Sequence, residues 1–272
     1  MDKLSDWIQK EKATEKLLAL CHTTRWRSFE KIIQTDILST KFSKFPEPNP
    51  FKLKEDQVVY LFYGLPFYIY EIGDGKMIKS QATEEMPIGL IFKPETVKNV
   101  DRFYPFDTGA LFSEKYKGIL NISSESDYKV FEVPISGDSE IKKFIKRYYR
   151  RNENYCIGDV ENIKPENIKE ENLLRLLNFS SDSEIDLRHR AIEIHSLKDI
   201  ILSNNLLSII LPYSRTKKYP QFIREIKSKY PNVSIRTYTD FIRFSAESTR
   251  TALLIETLNF YKNNKSFNLK LS

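Results

Sequence analysis

The chain has 272 residues and a net charge of +6, and 40% of its residues are hydrophobic and 13% aromatic. This composition excludes a wholly disordered protein, and no apolar run is long enough to cross a bilayer. The N-terminal stretch lacks the pattern of a signal peptide, and Cys21 and Cys156 form neither a disulfide framework nor a metal-ligand pattern. We therefore expect a cytoplasmic protein without a membrane partner, whose positive charge mildly favours an anionic partner.

Apolar periodicity predicts short strands that alternate with helices along the first two thirds of the chain. The predicted helices lie at residues 3–9, 26–34, 139–151 and 165–178, and the predicted strands at 17–22, 58–63, 67–71 and 89–92. Residues 41–56 contain three prolines and predict a loop. Residues 101–116 are aromatic and irregular.

The pattern is clearer in the last third. It predicts a strand through Glu193, a turn or helix at 197–202, strands at 206–211 and 233–238, and helices at 219–230 and 247–261. No repeat is present, and the polar stretch 152–172 is interpreted as an excursion within one domain. The sequence therefore predicts a single domain over residues 1–272.

Several familiar chemistries have no motif in this sequence. It contains no GxxxxGK[ST], GxGxxG, HExxH, CxxC or GxSxG. Three alternating acidic residues, Asp182, Glu184 and Asp186, lie in a Ser-rich loop and are expected to be solvated. The sequence therefore predicts no metal site, and the remaining candidates are His, Tyr, Thr and Glu side chains.

The most informative stretch is RHRAIEIH, residues 188–195. Glu193 is the one carboxylate in a β-branched, strand-like run, and burying a carboxylate requires a partner. A structural interpretation pairs it with Arg188 or Arg190. A functional interpretation places it at the bottom of a cleft, where the distant His22 is a candidate to meet it.

Two upstream stretches carry further polar and aromatic candidates. In LLALCHTT, His22 is either a satisfied histidine at a strand end, with Thr23 or Thr24 capping the next helix, or a hydrogen-bonding group for a ligand. In YLFYGLPFY, residues 60–68, most aromatic rings are expected in the core. Tyr63-Gly64 and Phe67-Tyr68 bracket a break at which a ring could form the wall of a pocket for a planar ligand.

The order of these blocks resembles the ADP-ribosyltransferase superfamily, and in particular the DarT-type nucleic-acid ADP-ribosyltransferase toxins. The three blocks are LLALCHTTRWRSFEKIIQTDILSTKF, DQVVYLFYGLPFYIYEI and RHRAIEIHSLKDIILSNNLLSIILP. The resemblance implies an α+β fold of split, bent β-sheets flanked by helices, with an inserted or accessory segment around 101–180. The family's proline–arginine–serine continuation is replaced by Ile69 and Tyr70, which leaves Arg25 and Arg27 as candidates for the arginine that clamps NAD⁺.

The resemblance also implies a mechanism with NAD⁺ as co-substrate and no metal. Glu193 would stabilise an oxocarbenium-like sugar as nicotinamide leaves and could take the proton of the acceptor. The implied cofactor-binding residues are His22 at a ribose hydroxyl, Thr23 or Thr24 near the ribose or carboxamide, Tyr60 or Tyr63 against nicotinamide, and Arg188 or Arg190 beside Glu193 or a phosphate.

The acceptor is predicted from a basic helix, EIKKFIKRYYRR, residues 140–151. It is either a solvated charged helix or a surface for nucleic acid, with cations on phosphates and tyrosines on bases. Its predicted nucleic-acid-binding residues are Lys142, Lys143, Lys146, Arg147, Arg150 and Arg151. The resemblance and this helix together predict an ADP-ribosyltransferase that acts on nucleic acid. The resemblance alone implies a bacterial toxin or phage-defence role, with an antitoxin or defence-system partner. The alternatives are an NAD⁺ glycohydrolase of the same fold and an inactive module that binds nucleic acid or a partner.

Overall fold

The computed structural model describes residues 2–40, 58–67, 71–72, 76–77, 86–109, 114–179, 187–240, 246–267 and 269–270. The loop predicted at 41–56, most of the strand predicted at 67–71, and Asp182, Glu184 and Asp186 lie outside these ranges. The strands are β1 (Leu20–Thr24), β2 (Ile37–Leu38), β3 (Val59–Tyr63), β4 (Glu71–Ile72), β5 (Lys76–Met77), β6 (Ile88–Phe92), β7 (Arg102–Tyr104), β8 (Val133–Pro134), β9 (Glu193–Ser196), β10 (Ile200–Ile201), β11 (Leu206–Pro212) and β12 (Ser234–Tyr238). The helices are α1 (Leu4–Ile8), α2 (Trp26–Thr35), α3 (Glu114–Leu120), α4 (Glu125–Lys129), α5 (Ser139–Tyr149), α6 (Asn152–Ile157), α7 (Ile168–Leu177), α8 (Leu202–Asn205), α9 (Tyr213–Lys218), α10 (Pro220–Lys229) and α11 (Ala246–Asn263), with 3-10 turns at Pro94–Asn99 and Arg188–Arg190.

Within the described ranges, eight strands form one mixed sheet in the order β12-β11-β6-β1-β3-β9-β7-β8. β11 and β12 run parallel and are connected through α9 and α10, whereas the other neighbours in this sheet pair antiparallel. β2 pairs with β10, and β4 with β5, in two small separate sheets. The predicted α+β class is therefore confirmed.

A short seam between β1 and β3 lies at the centre of the main sheet. In the described part of the chain these strands pair at two positions, Leu20 with Tyr63 and Cys21 with Phe62. Past the seam, β1 continues along β6 and β3 continues along β9. The sheet thus consists of two four-stranded halves, β12-β11-β6-β1 and β3-β9-β7-β8, which share little pairing.

Helices pack on both halves of the sheet. Phe103 of β7 packs edge-on against Phe144 of α5, with ring centroids 5.7 Å apart. In the other half, a Cβ added at Gly89 of β6 would lie 2.9 Å from the side chain of Leu253 in α11, so this helix lies directly on the sheet. Buried apolar side chains from α1 to the C-terminal residues belong to one hydrophobic cluster. No helix in the described ranges has the length and apolar character that a membrane span requires.

Most predicted elements are present close to their predicted ends, and the differences have local causes. The strand predicted at 17–22 begins only at Leu20, because the N–H of Leu18 is bound by the hydroxyl of Tyr63 rather than by a neighbouring strand. Residues 101–116, predicted as irregular, contain β7. The segment around 101–180, expected as an insertion or accessory element, supplies β7 and β8 to the main sheet.

Candidate active site

Glu193 begins β9, the strand between β3 and β7, and is only 3% exposed. The Thr108 hydroxyl donates to Glu193 Oε1 at 2.6 Å, and the Thr108 backbone N–H donates to Oε2 at 3.3 Å. His195 Nε2 also lies 2.6 Å from Oε1. Hydrogen bonds to a carboxylate favour its charged form. Thr108 and His195 therefore hold the Glu193 carboxyl group in place within the sheet.

The contacts of His195 indicate which ring nitrogen donates to Glu193. A carboxylate only accepts hydrogen bonds, so the 2.6 Å contact with Glu193 requires a proton on Nε2 of the imidazole. Nδ1 is then the acceptor in the neutral ring, and Arg102 Nε donates to it at 3.5 Å. The ring centroids of Tyr60 and Tyr104 lie 4.9 and 5.1 Å from that of the imidazole. His195 is thus held at both nitrogens and against two rings.

A second carboxylate, Glu132, extends this network. It accepts a hydrogen bond from the Tyr104 hydroxyl, and Arg102 Nε lies 4.0 Å from it. The Tyr104 ring stacks on the Tyr128 ring, with ring centroids 5.0 Å apart. Burial, reinforced by Glu132, raises the pKa of Tyr104, and burial raises the pKa of Tyr128 well above its usual range. Both phenols therefore remain protonated. The Glu193 cluster, as we name it, comprises Arg102, Tyr104, Thr108, Tyr128, Glu132, Glu193 and His195.

Strand register places the cluster on one face of the sheet. Tyr60 and Arg102 pair directly with His195 from the two neighbouring strands, and Tyr104 pairs with Glu193. Directly paired residues project to the same face, and successive residues alternate. Side chains from β3, β9 and β7 therefore form one continuous polar and aromatic face.

His22 lies on the opposite face from Glu193, contrary to the expectation that the two would meet. Cys21 pairs with Phe62, which pairs with Glu193, so these three share a face. His22 follows Cys21 and alternates away. Its Nδ1 is hydrogen-bonded to the carbonyl of Tyr60 at 2.9 Å, and burial lowers its pKa. The histidine that contacts Glu193 instead comes from its own strand.

Thr23, by alternation, does share the face of Glu193. Its hydroxyl is buried, and among the described residues it has no hydrogen-bond partner. A buried hydroxyl without a partner is costly, so a ligand atom is a reasonable partner. Thr24 ends β1 and is half-buried.

The two predicted pocket tyrosines differ in their surroundings. Tyr60 packs edge-on against His195 and belongs to the cluster's face. Tyr63 is fully buried, and its hydroxyl donates to Asn152 Oδ1 at 2.8 Å while accepting the N–H of Leu18 at 3.0 Å. Because both hydrogen-bonding sites of Tyr63 are used in the core, its predicted role against nicotinamide is not supported.

Arg188 and Arg190 occupy the 3-10 turn that precedes β9. The Arg188 carbonyl accepts the N–H of Asp107 at 3.0 Å, which holds the loop carrying Thr108 beside β9. The Arg190 guanidinium packs on Gly158, where an added Cβ would lie only 1.2 Å from Nη1. Arg188 thus helps to position Glu193 through its backbone, and Arg190 contacts the end of α6.

The predicted nucleic-acid surface on α5 requires correction. Arg147 is buried, and its Nε donates to the fully buried Glu170 of α7 at 2.7 Å. Tyr148 and Tyr149 are also fully buried, so neither ring can stack on a base. The remaining predicted cations are half-buried or exposed: Lys142, Lys143, Lys146, Arg150 and Arg151.

Sequence reasoning missed most of the Glu193 cluster. Residues that it did not single out are Arg102, Tyr104, Thr108, Tyr128 and Glu132, and it noted His195 only as a neighbour of Glu193. One local signal was present: Asp107 and Thr108 form a polar pair inside the aromatic stretch 101–116. Pairing of β7 with β9 was required to assign that pair to Glu193.

No protein-family model matches the chain, and no curated protein matches it in sequence. Within the described ranges, no group of His, Cys, Asp and Glu side chains has an arrangement that could hold a metal ion. Both cysteines are buried, and burial raises the pKa of the Cys21 thiol to about 12 and also raises that of Cys156.

Proposed function

We propose that the chain is an NAD⁺-dependent ADP-ribosyltransferase with Glu193 as its catalytic residue. The observation that carries this proposal is the strand order. Three blocks far apart in sequence, which contain His22, Tyr60 and Glu193, form the adjacent strands β1, β3 and β9 at the seam. The two weakly joined halves of the sheet also agree with the split, bent sheets that the resemblance implies. A toxin or phage-defence role rests on the resemblance alone.

The residues on the face of Glu193 fit a nucleotide co-substrate. Thr23 offers a buried hydroxyl for a ribose or carboxamide group, and Tyr60 offers an aromatic ring on the same face. NAD⁺ would supply the sugar and the nicotinamide leaving group. His22 would act indirectly, because its hydrogen bond to the Tyr60 carbonyl bridges the two strands where their pairing ends.

Glu193 would act by electrostatic stabilisation. The bond from nicotinamide to the sugar breaks with positive charge developing on the sugar, and a fixed carboxylate lowers the free energy of that transition state. Thr108 and His195 hold the Glu193 carboxylate in place before reaction, so little reorganisation is needed. The same carboxylate can accept the proton of the attacking acceptor.

The test is Glu193→Gln, with Glu256→Gln as the matched control. The amide keeps the size of the side chain but removes its charge, so we expect NAD⁺ turnover to fall by roughly a hundredfold or more with little change in NAD⁺ binding. Glu256 pairs with Arg236 between α11 and β12, outside the cluster, so its variant should turn over NAD⁺ normally. Radiolabelled NAD⁺ should report the rate, and calorimetry the binding. A folded Glu193→Gln protein with the wild-type rate would contradict the proposal.

We propose nucleic acid as the acceptor, bound at a surface other than α5. The α9–α10 surface consists of exposed Tyr213, Lys217, Lys218, Arg224, Lys227 and Lys229. Tyr213 is 50% exposed, with Lys217 Nζ 5.4 Å from its ring centroid. Glu225 is the only acidic residue between 213 and 230. Exposed cations beside an exposed ring suit phosphates and stacked bases.

Salt dependence separates the two candidate surfaces. We expect the double variant Lys217→Glu, Lys218→Glu to weaken binding of single-stranded DNA or RNA. The slope of the logarithm of the binding constant against the logarithm of the salt concentration should fall by about two, one for each lost phosphate contact. The matched double variant on α5, Lys143→Glu and Lys146→Glu, should change the slope much less. The opposite result would return the acceptor surface to α5. If labelled NAD⁺ yields only free ADP-ribose, whichever acceptor is supplied, the protein would be an NAD⁺ glycohydrolase.

A further inference from the structure

We propose that His195 is a positioning residue for Glu193 and that Arg102 in turn orients His195. This inference deepens the proposed function and rests on it for its kinetic consequences. Its geometric basis is separate, because it depends on the contacts of the imidazole rather than on the reaction. His195 acts through Glu193, and no contact of His195 with substrate is required.

Two short hydrogen bonds converge on one oxygen of the Glu193 carboxyl group. Thr108 Oγ1 and His195 Nε2 each lie 2.6 Å from Glu193 Oε1. These donors come from different elements, a loop after β7 and β9 itself, so together they fix the rotation of the carboxylate. Loss of the imidazole would leave Oε1 held by the Thr108 hydroxyl and the carboxylate less constrained.

Neighbouring strands fix the imidazole. Arg102 pairs with His195 in register, and its Nε donates to Nδ1, which keeps the ring proton on Nε2 facing Glu193. Tyr60 and Tyr104 restrict ring rotation from the strands on either side. Since a guanidinium has no acceptor, Arg102 cannot stabilise a proton on Nδ1. Of the two neutral tautomers, the one with the proton on Nε2 is therefore the one that these contacts favour.

Kinetics of His195 variants test the positioning role. We expect His195→Ala to lower the kcat of NAD⁺ turnover roughly a hundredfold, the scale of a misplaced catalytic group, while KM for NAD⁺ changes less than about twofold because ground-state binding is retained. His195→Gln should recover much of the kcat, since its amide places a donor near the position of Nε2. His189→Gln is the matched control, because that histidine is also buried but lies beside Tyr116 and Phe179.

Nitrogen-15 NMR of the imidazoles provides a second, activity-independent measurement. The wild-type protein at neutral pH should show His195 protonated at Nε2 only. A wild-type protein without NAD⁺ turnover would overturn the proposed function, but this spectrum would still test how Arg102 and Glu193 orient His195. His195 protonated at Nδ1, or an active wild type whose His195→Ala variant is folded and equally active, would overturn the positioning role.

Discussion

Arg147→Met is expected to destabilise the fold strongly, because it removes the main partner of a buried charge. Glu170 is 0% exposed and accepts from Arg147 Nε at 2.7 Å and Nη2 at 3.0 Å, from the Tyr148 hydroxyl at 2.6 Å and from the Glu166 N–H at 2.7 Å. The variant removes two of these four donors and the only cation among them. Breaking a buried ion pair from one side typically costs about 3–5 kcal/mol.

In a chain of this size, about 1 kcal/mol shifts Tm by roughly 2–4 °C, so Tm of the Arg147→Met protein should fall by about 6–20 °C. Urea unfolding followed by circular dichroism should give the free-energy change directly. Lys146→Met is the matched control on the same helix; its side chain is half-buried, and its effect should stay within about 0.5 kcal/mol. Adding Glu170→Gln to Arg147→Met should recover stability, because the unpaired charge is gone. An Arg147→Met protein within 1 kcal/mol of wild type would refute the assignment of Arg147 to the core.

His22→Asn should become more stable relative to wild type as the pH falls. Burial lowers the pKa of His22 in the folded state, so below about pH 6.5 the unfolded chain takes up a proton that the folded chain does not, and wild-type stability declines. Thermal melts from pH 7.5 to 5.5 should show the difference in Tm moving in favour of the variant; a constant difference would contradict the reasoning. Gly158→Ala should destabilise by roughly 1–3 kcal/mol, because Gly158 has a φ of 79° and its new Cβ would collide with Arg190. Gly137→Ala, where an added Cβ has open space, should be nearly neutral by the same denaturation assay, and equal effects at both positions would argue against the strain.

The sequence predicted elements whose periodicity is local, and α2 shows why. Its buried residues, Trp26, Phe29 and Ile33, recur at helical spacing, so one segment contained the whole signal. β7 carried no such signal. It has three residues, and its strand conformation depends on hydrogen bonds to β9, which is distant in sequence. Local patterns could not predict it.

In the candidate site the sequence singled out Glu193, Thr23 and Tyr60, which share one face of the sheet, but not the residues that hold Glu193 in place. Glu193 stood out because a single carboxylate interrupted an apolar strand. Its partner Thr108 could be assigned only from the tertiary structure. The same is true of the buried ion pair between Arg147 and Glu170 of α7. On α5, charge counts alone could not distinguish a cation paired in the core from one in solvent. The face of His22 depended on the register of β1 against β3, which the sequence left undetermined.

The position of β9 between β3 and β7 has a consequence for synthesis of the chain. β3 and β7 both precede α3, and within the described ranges they are joined in the sheet through a strand from the last third of the sequence. Until β9 has been translated, β3 has an unpaired edge, and such edges recruit other chains. Pairing over this sequence distance is also slow. We therefore expect nascent chains that end before β9 to lack the Glu193 cluster and to require protection from aggregation.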